Sequence, residues 1–271
     1  MRIKKYYKLI RVDYEDSAYF RIKNTSNTDG VFTITRVGSP TTAYLKYSLD
    51  GVNWTTANLS ADFSLAVGAG ANVYMKGTNA RGFNRNTSSY YKIAMNVNHT
   101  IGGNIMSIVD ETNYATVTSI PSYCFAHLFN GDTYLVNAGV NFGSVTSIGN
   151  NGCVYMYRNC TSLTTPSDFS SVTSIDSDGC SLMYGGCTSL TTGGDLSSIT
   201  SVQRGGLAGF YLGCTSLTKV TTPNVSSWDT YAFNNWLENT AATGVVRKPA
   251  GLDIPTNTNG GVPSGWTTED Y

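Results

Sequence analysis

The strongest constraint on the fold of this 271-residue chain is an internal repeat with a period of 27 residues. Residues 152–163 return as a similar sequence at 179–190 and again at 206–217. A second motif, Val-Thr-Ser-Ile or a close variant, keeps the same spacing at 145–148, 172–175 and 199–202, with an earlier copy at 117–120. A period of about 20–29 residues with recurring Leu and Cys is typical of a leucine-rich-repeat solenoid.

One copy cannot bury its apolar side chains alone, so the copies are expected to stack and their equivalent side chains to form ladders. Neighbouring rungs of such ladders lie about 4.8 Å apart, which is the spacing of paired strands. The predicted ladders are Met156, Met183 and Phe210; Ile148, Ile175 and Val202; Cys153 and Cys180; Cys160, Cys187 and Cys214; and Leu163, Leu190 and Leu217.

The cysteines are interpreted as small buried apolar side chains. Leu207 continues the ladder that begins with Cys153 and Cys180, and the ladder of Cys160 has three members, so pairing within it would leave one thiol over. Parallel side chains about 4.8 Å apart are also poor disulfide geometry. The spacing of the two cysteines within a copy lacks the short gap of a zinc knuckle. We therefore expect neither disulfides nor a bound metal.

The first hundred residues carry short runs of β-branched and aromatic side chains separated by Gly, Asn and Ser clusters. This pattern predicts an antiparallel β-sandwich. The Asp50-Gly51 pair predicts a hairpin with a type I′ turn. Trp54 beside it is expected in the core, with an exposed platform for a sugar as the alternative. The predicted strands lie at 19–22, 31–34, 44–49, 73–75 and 90–95.

Charge divides the chain into two halves although the net charge is zero. Residues 1–100 carry 13 Lys/Arg against 6 Asp/Glu, and residues 101–271 carry 5 against 12. Unless it arises by chance, this asymmetry indicates two domains. We predict a mainly β protein with a sandwich at 1–97 for attachment, a solenoid at 98–243 and a capping or docking tail at 244–271. Neutrality argues against nucleic acid as a partner, and no apolar stretch is long enough for membrane insertion.

The chain opens with basic residues, as an export signal does, but no apolar stretch follows them. Residues 6–13 are charged and alternating instead, so no signal peptide is predicted. We expect either a protein that acts without Sec-type export or one whose leader has been removed.

No constellation of catalytic side chains stands out, so we expect a non-catalytic protein without a cofactor. The two histidines, His99 and His127, follow no nucleophile motif. Asp168 and Asp195 occupy equivalent repeat positions and are interpreted as solvated loop acids rather than as a glycosidase pair. Asp176 and Asp178, on either side of Ser177, are interpreted as part of a solvated turn rather than as a calcium site.

Positions that differ between copies, or that face outward beside them, are the predicted binding surface. They would make shallow, multivalent contacts with a ligand. These residues are Arg158, Thr164, Thr165, Thr191, Thr192, Thr218 and Lys219. Tyr157, Tyr184 and Tyr211 form a further ladder, which is either a stacking platform for a glycan or part of the core.

The Asn-Cys-Thr-Ser-Leu-Thr segment at 159–164 and its copies resemble the Cys-containing leucine-rich repeats of the BspA-like group. Residues 103–108 resemble the segment that leads into such arrays, and 248–251 with 261–266 resemble a closing segment of related proteins. For residues 1–97 the similarity is a general one to immunoglobulin-like domains. Members of the group occur as surface adhesins of gut anaerobes and in the virions of their phages.

Together with the missing leader, the resemblance implies a phage virion protein of the tail-fibre, receptor-binding or head-fibre type, assembled in the host cytoplasm. The implied partners are a glycan or protein of the host cell surface, other virion subunits through residues 1–97, and further copies in a homo-oligomer. The alternatives are a purely structural virion component, such as a decoration or tail-tip subunit, a bacterial cell-surface adhesin, and a polysaccharide-degrading tailspike.

Overall fold

A computed structural model of the chain describes residues 19–140, 142–256 and 259–271, and the predictions for the first thirteen residues lie outside these ranges. Within them the protein is mainly β, as predicted, and its helical structure consists of two short 3₁₀ helices at Ile105–Ile108 and Tyr114–Thr116. The strands, in chain order, are β1 (Phe20–Asn24), β2 (Gly30–Val37), β3 (Leu45–Ser48), β4 (Thr55–Thr56), β5 (Phe63–Val67), β6 (Asn72–Gly77), β7 (Tyr90–Met95), β8 (His99–Gly102), β9 (Ser119–Ile120), β10 (Leu135–Asn137), β11 (Ser147–Ile148), β12 (Ser174–Ile175), β13 (Thr192–Asp195), β14 (Ser201–Val202), β15 (Lys219–Thr221), β16 (Gly244–Lys248) and β17 (Trp266–Asp270).

Two sheets make up the N-terminal half, and the five runs predicted from the sequence correspond to β1, β2, β3, β6 and β7. The first sheet has the order β10-β8-β1-β6-β3-β4 and the second the order β5-β2-β7. Their pairings are antiparallel, except that β8 and β10 are parallel. Alternate residues such as Phe20 and Ile22 are buried, because successive side chains of a strand point to opposite faces. The buried residues of both sheets belong to one apolar cluster.

The hairpin of β3 and β4 forms, but the predicted two-residue type I′ turn is wrong. The pairing ends at Tyr47 and Thr55, so the connection is longer than two residues. Asp50 holds this wider loop, because its Oδ1 accepts hydrogen bonds from two backbone N–H groups further along the loop. Trp54 is half-buried at the end of the loop, and its predicted place in the core is also wrong.

Equivalent residues of successive repeat copies pair side by side in two parallel sheets. In the sheet with the order β14-β12-β11-β9, Ser147 is paired with Ser119 on one side and with Ser174 on the other. In the sheet with the order β13-β15-β16-β17, Thr192 is paired with Lys219. The register of the strands therefore follows the repeat of the sequence.

After each strand of the first parallel sheet, the chain continues through consecutive four-residue turns. The N–H groups of Gly152 and Val154 donate to carbonyls three residues back, whereas those of Cys153 and Tyr155 donate to the next copy. Every second donor thus bonds within its own copy and the others bond between copies, which satisfies the buried backbone. Left-handed backbone recurs every fourth residue, at Asn151, Tyr155 and Asn159, and at Asp178, Leu182, Gly186, Gly205, Gly209 and Gly213 in the next two copies.

The predicted ladders are buried, with the exception of Val202, which is only half-buried at the end of its row. All six cysteines are free thiols in the interior. The Sγ atoms of Cys160, Cys187 and Cys214 each lie 3.1 Å from a backbone carbonyl oxygen of the preceding copy, to which the thiol donates. Burial raises the pKa of these thiols, that of Cys214 to about 12, so they remain protonated. The remaining members of the Leu and Cys ladders, Cys153, Cys180, Leu163, Leu190 and Leu217, are fully buried as well.

The two halves are joined by shared backbone pairing. Strand β8 lies just after the predicted boundary at residue 97 and pairs with β1 of the first sheet. It also pairs with β10, which belongs to the first repeat copy, the one that includes the early motif at 117–120. The N–H groups of Asn84 and Ile93 donate to the carbonyls of Cys124 and Leu128, and Asn84 Nδ2 lies 2.8 Å from the carbonyl oxygen of Ala126. The N-terminal half therefore covers backbone acceptors at the start of the repeat.

The tail extends the second parallel sheet within the same chain. Strand β16 pairs with β15, and β17 pairs with β16 over five residues. Ion pairs between Arg247 and Glu269 at 3.0 Å and between Lys248 and Asp270 at 2.7 Å link the last two strands. Three indole N–H groups, those of Trp228, Trp236 and Trp266, donate to backbone carbonyls at Gly260, Gly261 and Ala241.

Candidate binding surface of the repeat

The threonines and the lysine of the predicted binding surface are all exposed, namely Thr164, Thr165, Thr191, Thr192, Thr218 and Lys219. Thr218 donates to the carbonyl of Thr191 both from its N–H, at 3.0 Å, and from Oγ1, at 3.2 Å. Thr164 makes the same pair of bonds to Val136. Because these hydroxyl hydrogens are committed to the backbone, Thr164 and Thr218 offer a ligand their methyl groups and oxygen lone pairs.

Thr192 and Lys219 lie opposite each other on β13 and β15, and Val245 of β16 continues the row. Thr165, at the equivalent position of the preceding copy, forms a parallel bridge with Asn137. The row therefore changes from hydroxyl to ammonium to aliphatic side chain between neighbouring strands.

Arg158 is exposed and lies in the run of turns, where it joins an aromatic stack. Its guanidinium carbon is 5.5 Å from the ring centroid of Tyr155. The ring of Tyr155 lies 4.7 Å from that of His127, which in turn stacks on Tyr90 at 4.2 Å with an interplanar angle of 8°. His127 and Tyr155 both have left-handed backbone, and Tyr90 begins β7. The stack thus connects a predicted binding residue to the N-terminal half.

The surroundings of His127 suppress its positive charge. Burial, followed by the charges of Arg158 and Lys92, lowers the pKa of His127 to about 4. Its Nδ1 lies 2.9 Å from the Nδ2 of Asn130, which orients the ring. At neutral pH the stack therefore contains a neutral imidazole between two aromatic rings, with the positive charge carried by Arg158 and Lys92.

The tyrosine ladder is fully buried, so the interpretation of Tyr157, Tyr184 and Tyr211 as a stacking platform for a glycan is wrong. Neighbouring rings lie 5.4 and 5.8 Å apart with interplanar angles of 18°. The hydroxyl oxygens of Tyr184 and Tyr211 each accept a backbone N–H, from Ser167 and Gly194, at 2.9 Å. Burial raises the pKa of all three phenols. The row therefore acts as core packing with a polar end that satisfies buried backbone donors.

His99 is buried where the N-terminal half meets the first repeat copy. Its Nε2 lies 3.1 Å from Oδ2 of Asp132, and its Nδ1 lies 2.9 Å from the carbonyl oxygen of Val97. Asp132 is also buried and accepts the N–H of Tyr134 at 3.2 Å. The pair connects β8 to the end of the first repeat copy.

Asp168 and Asp195 are exposed and each holds its own turn. Oδ1 of Asp168 accepts the N–H of Ser170 at 2.8 Å, and Oδ1 of Asp195 accepts that of Ser197 at 2.9 Å. This is the local bonding with which an aspartate stabilises a turn. Asp178 lines a polar cavity of about 240 Å³, which Arg204 and Tyr231 line as well.

Among the residues that the structure describes, no three His, Cys, Asp or Glu side chains gather as ligands for a metal ion. Within the same ranges, no helix has the length and apolar character that crossing a bilayer requires. No protein-family model, curated protein sequence or solved structure matches the chain.

Proposed function

We propose that residues 98–243 form a leucine-rich-repeat solenoid, closed by the tail at 244–271 and preceded by an immunoglobulin-like β-sandwich at 1–97. Parallel pairing at the repeat spacing, buried Leu and Cys ladders and hydrogen bonds from copy to copy support the solenoid. Two sheets that are antiparallel except for the pair of β8 and β10, and that share one apolar cluster, support the sandwich.

On this scaffold we propose a non-catalytic adhesion function, in which the repeat binds a glycan or protein of a host cell surface. The observation that carries the proposal is that the recurring apolar residues are buried, whereas a row whose side chain changes between copies is exposed. Leu163, Leu190 and Leu217 are inaccessible, but the row that includes Thr192 and Lys219 faces solvent and changes its side chain between copies. Such a surface fits shallow binding at several points.

The proposed location is a phage virion, in which residues 1–97 contact other subunits and the protein is a homo-oligomer. This location rests on the resemblance of the repeats to the BspA-like group, and a bacterial cell-surface adhesin is the alternative. The position of the reading frame in its genome is the direct test. Neighbouring capsid and tail genes would support the virion, and neighbouring cell-envelope genes would contradict it.

Adhesion is tested by flow cytometry with the fluorescently labelled full chain and cells of gut anaerobic bacteria. We expect Arg158→Ala and the double variant Thr192→Ala/Lys219→Glu to reduce cell binding several-fold without loss of stability. Thr173→Ala/Thr200→Ala is the matched control, because these exposed threonines lie at the other parallel sheet. Equal binding by all three variants and the native chain would contradict the proposed surface.

Two further measurements separate the other functions. Binding to purified phage particles but to no cell would favour a structural decoration or tail-tip subunit. Shortening of host polysaccharide during incubation with the chain, followed by size-exclusion chromatography, would establish a tailspike enzyme instead.

A further inference from the structure

A cavity of about 300 Å³ opens on the outward face of the six-stranded sheet, in the N-terminal half. Its floor contains Arg21 and Tyr74, which pair across β1 and β6. These side chains point outward, because their neighbours along the strand, such as Phe20 and Ile22, are buried and successive side chains point to opposite faces. The loop between β3 and β4 contributes Trp54 to the wall.

Aromatic rings dominate the wall of this cavity. The ring centroid of Tyr19 lies 4.9 Å from that of Trp54 in an edge-to-face arrangement and 5.5 Å from that of Tyr114. Tyr19, Trp54, Tyr74 and Tyr114 all line the cavity, and all four are half-buried rather than enclosed in the core. Large apolar rings that remain accessible around one concave site are typical of ligand pockets rather than of a packed core.

The loop that carries Trp54 is held in place before any ligand binds. Oδ1 of Asp50 accepts the hydroxyl of Ser48 and the backbone N–H groups of Val52 and Asn53, and its Oδ2 accepts the side-chain amide of Asn53 at 2.7 Å. These hydrogen bonds keep the pKa of Asp50 well below its usual range, so its carboxylate is charged at neutral pH. Because the wall is preorganised, little conformational entropy is lost on binding.

We propose that this cavity binds one pyranose unit of a glycan. A pyranose has faces of C–H groups that pack on aromatic rings, and a rim of hydroxyl groups that both donate and accept hydrogen bonds. The cavity offers rings for the faces, together with the guanidinium of Arg21 and the carboxylate of Asp50 for the rim. Its volume lies at the lower end of the range for small-molecule sites, about 300–1,000 Å³, which suits a single sugar ring.

Two other classes of ligand fit the cavity less well. The ammonium of Lys76 already lies 4.3 Å from the ring centroid of Trp54 and 5.2 Å from that of Tyr19, so a cationic ligand would meet a positive charge at these rings. A purely apolar ligand would offer no hydrogen-bonding group to the two charged side chains that line the cavity, Arg21 and Asp50. The site is separate from the varying residues of the repeat, and the proposal does not depend on binding there.

The tryptophans give a direct readout, because the chain has four and three of them donate their indole N–H to carbonyls in the C-terminal part. The full chain, labelled with nitrogen-15, is titrated with methyl glycosides of glucose, galactose, mannose, N-acetylglucosamine and glucuronic acid. We expect at least one glycoside to shift the indole signal of Trp54, identified by its loss in Trp54→Phe, and to leave the other three in place. No shift of this signal with any of the five would overturn the proposal.

Affinity is then measured by saturation-transfer NMR on the glycoside that binds. Trp54→Ala is expected to bind about tenfold more weakly, and Trp54→Phe, which retains a ring, is expected to lose less. Tyr134→Ala removes an aromatic ring that is 46% exposed and does not line the cavity, and it serves as the matched control. The three remaining indole signals report that each variant is folded. If Arg158→Ala abolished sugar binding while Trp54→Ala retained it, the sugar would bind at the repeat and the cavity proposal would be wrong.

Discussion

At the residue scale, His127 is placed so that its protonation opposes folding. Burial, with the charges of Arg158 and Lys92, lowers its pKa to about 4, whereas the pKa of a histidine in the unfolded chain is about 6.5. Between these values the unfolded chain binds a proton that the folded chain does not, so the free energy of unfolding falls as the pH drops through this window. We expect His127→Gln to flatten that part of the profile, measured by urea denaturation from pH 7 to pH 4.

Arg158→Gln serves as the companion variant, because removing a positive charge next to His127 raises the pKa of the histidine. Titration of the ring signals by NMR measures this shift directly. The carboxylates of Asp50 and Asp110 do not interfere, since hydrogen bonds lower their pKa and their contribution is lost only below about pH 4. Superimposable stability profiles for the native chain and His127→Gln would show that His127 does not cause the loss of stability on acidification.

Residue identities predicted the interior better than the surface. The Leu and Cys ladders follow from the repeat alone, because a position that recurs with one apolar side chain has to be buried when the copies stack. Trp54 could not be placed in this way, since the carboxylate of Asp50 builds a wider loop than the Asp-Gly pair predicts. The tyrosine ladder was ambiguous because its hydroxyl partners, the N–H groups of Ser167 and Gly194, belong to distant backbone.

At the scale of the element, the run of turns depends on left-handed backbone at regular positions. Gly209 has a φ of +58°, and a Cβ added there would lie 2.8 Å from Cδ2 of Leu182, the equivalent residue of the preceding copy. Gly209→Ala should therefore cost the left-handed strain of about 1–3 kcal/mol and a steric term in addition. Thermal or urea unfolding measures the total.

Gly213→Ala is the matched control for this prediction. Its φ is +73°, but the nearest atom to an added Cβ, in the backbone of Gly186, is 3.8 Å away, so only the backbone cost remains. The double variant Leu182→Ala/Gly209→Ala isolates the steric term through a double-mutant cycle. Equal losses of stability for Gly209→Ala and Gly213→Ala, without coupling to Leu182, would show that the contact of the added Cβ with Leu182 does not affect stability.

The turns could have been anticipated in part from the sequence. Asn151, Asp178 and Gly205 occupy one left-handed position in three successive copies, and these residue types tolerate such backbone best. The next position hides the pattern, because it holds Tyr155 and Leu182 before Gly209. Side chains that disfavour left-handed backbone are held there by the hydrogen bonds between copies, which no local preference reveals.

At the scale of the whole molecule, the N-terminal half is the first cover of the repeat. Stacked copies leave unpaired backbone groups at each end, and natural repeat proteins close the ends with dedicated caps. The sequence indicated a segment that leads into the repeat at 103–108, but hydrogen bonds to the first copy also come from Asn84 and Ile93, which lie in the N-terminal half. A bond between one asparagine and backbone some 40 residues away leaves no periodic pattern in the sequence, so it could not be predicted.

This cover makes the stability of the repeat dependent on Asn84. The residue is buried, and its Nδ2 lies 2.8 Å from the carbonyl oxygen of Ala126 and 3.0 Å from that of Tyr91, while its Oδ1 accepts the N–H of Tyr91. Asn84→Ala leaves these buried groups unpaired and should cost about 1–3 kcal/mol in urea denaturation. Asn86→Ala, which removes an exposed turn-capping amide in the same loop, should cost less.

If the cover joins the halves energetically, circular dichroism and tryptophan fluorescence will report one coincident transition for both variants. The apolar cluster that spans both halves requires the same result. Two separate transitions in the native chain would mean that the halves fold independently and that the bonds of Asn84 do not couple them.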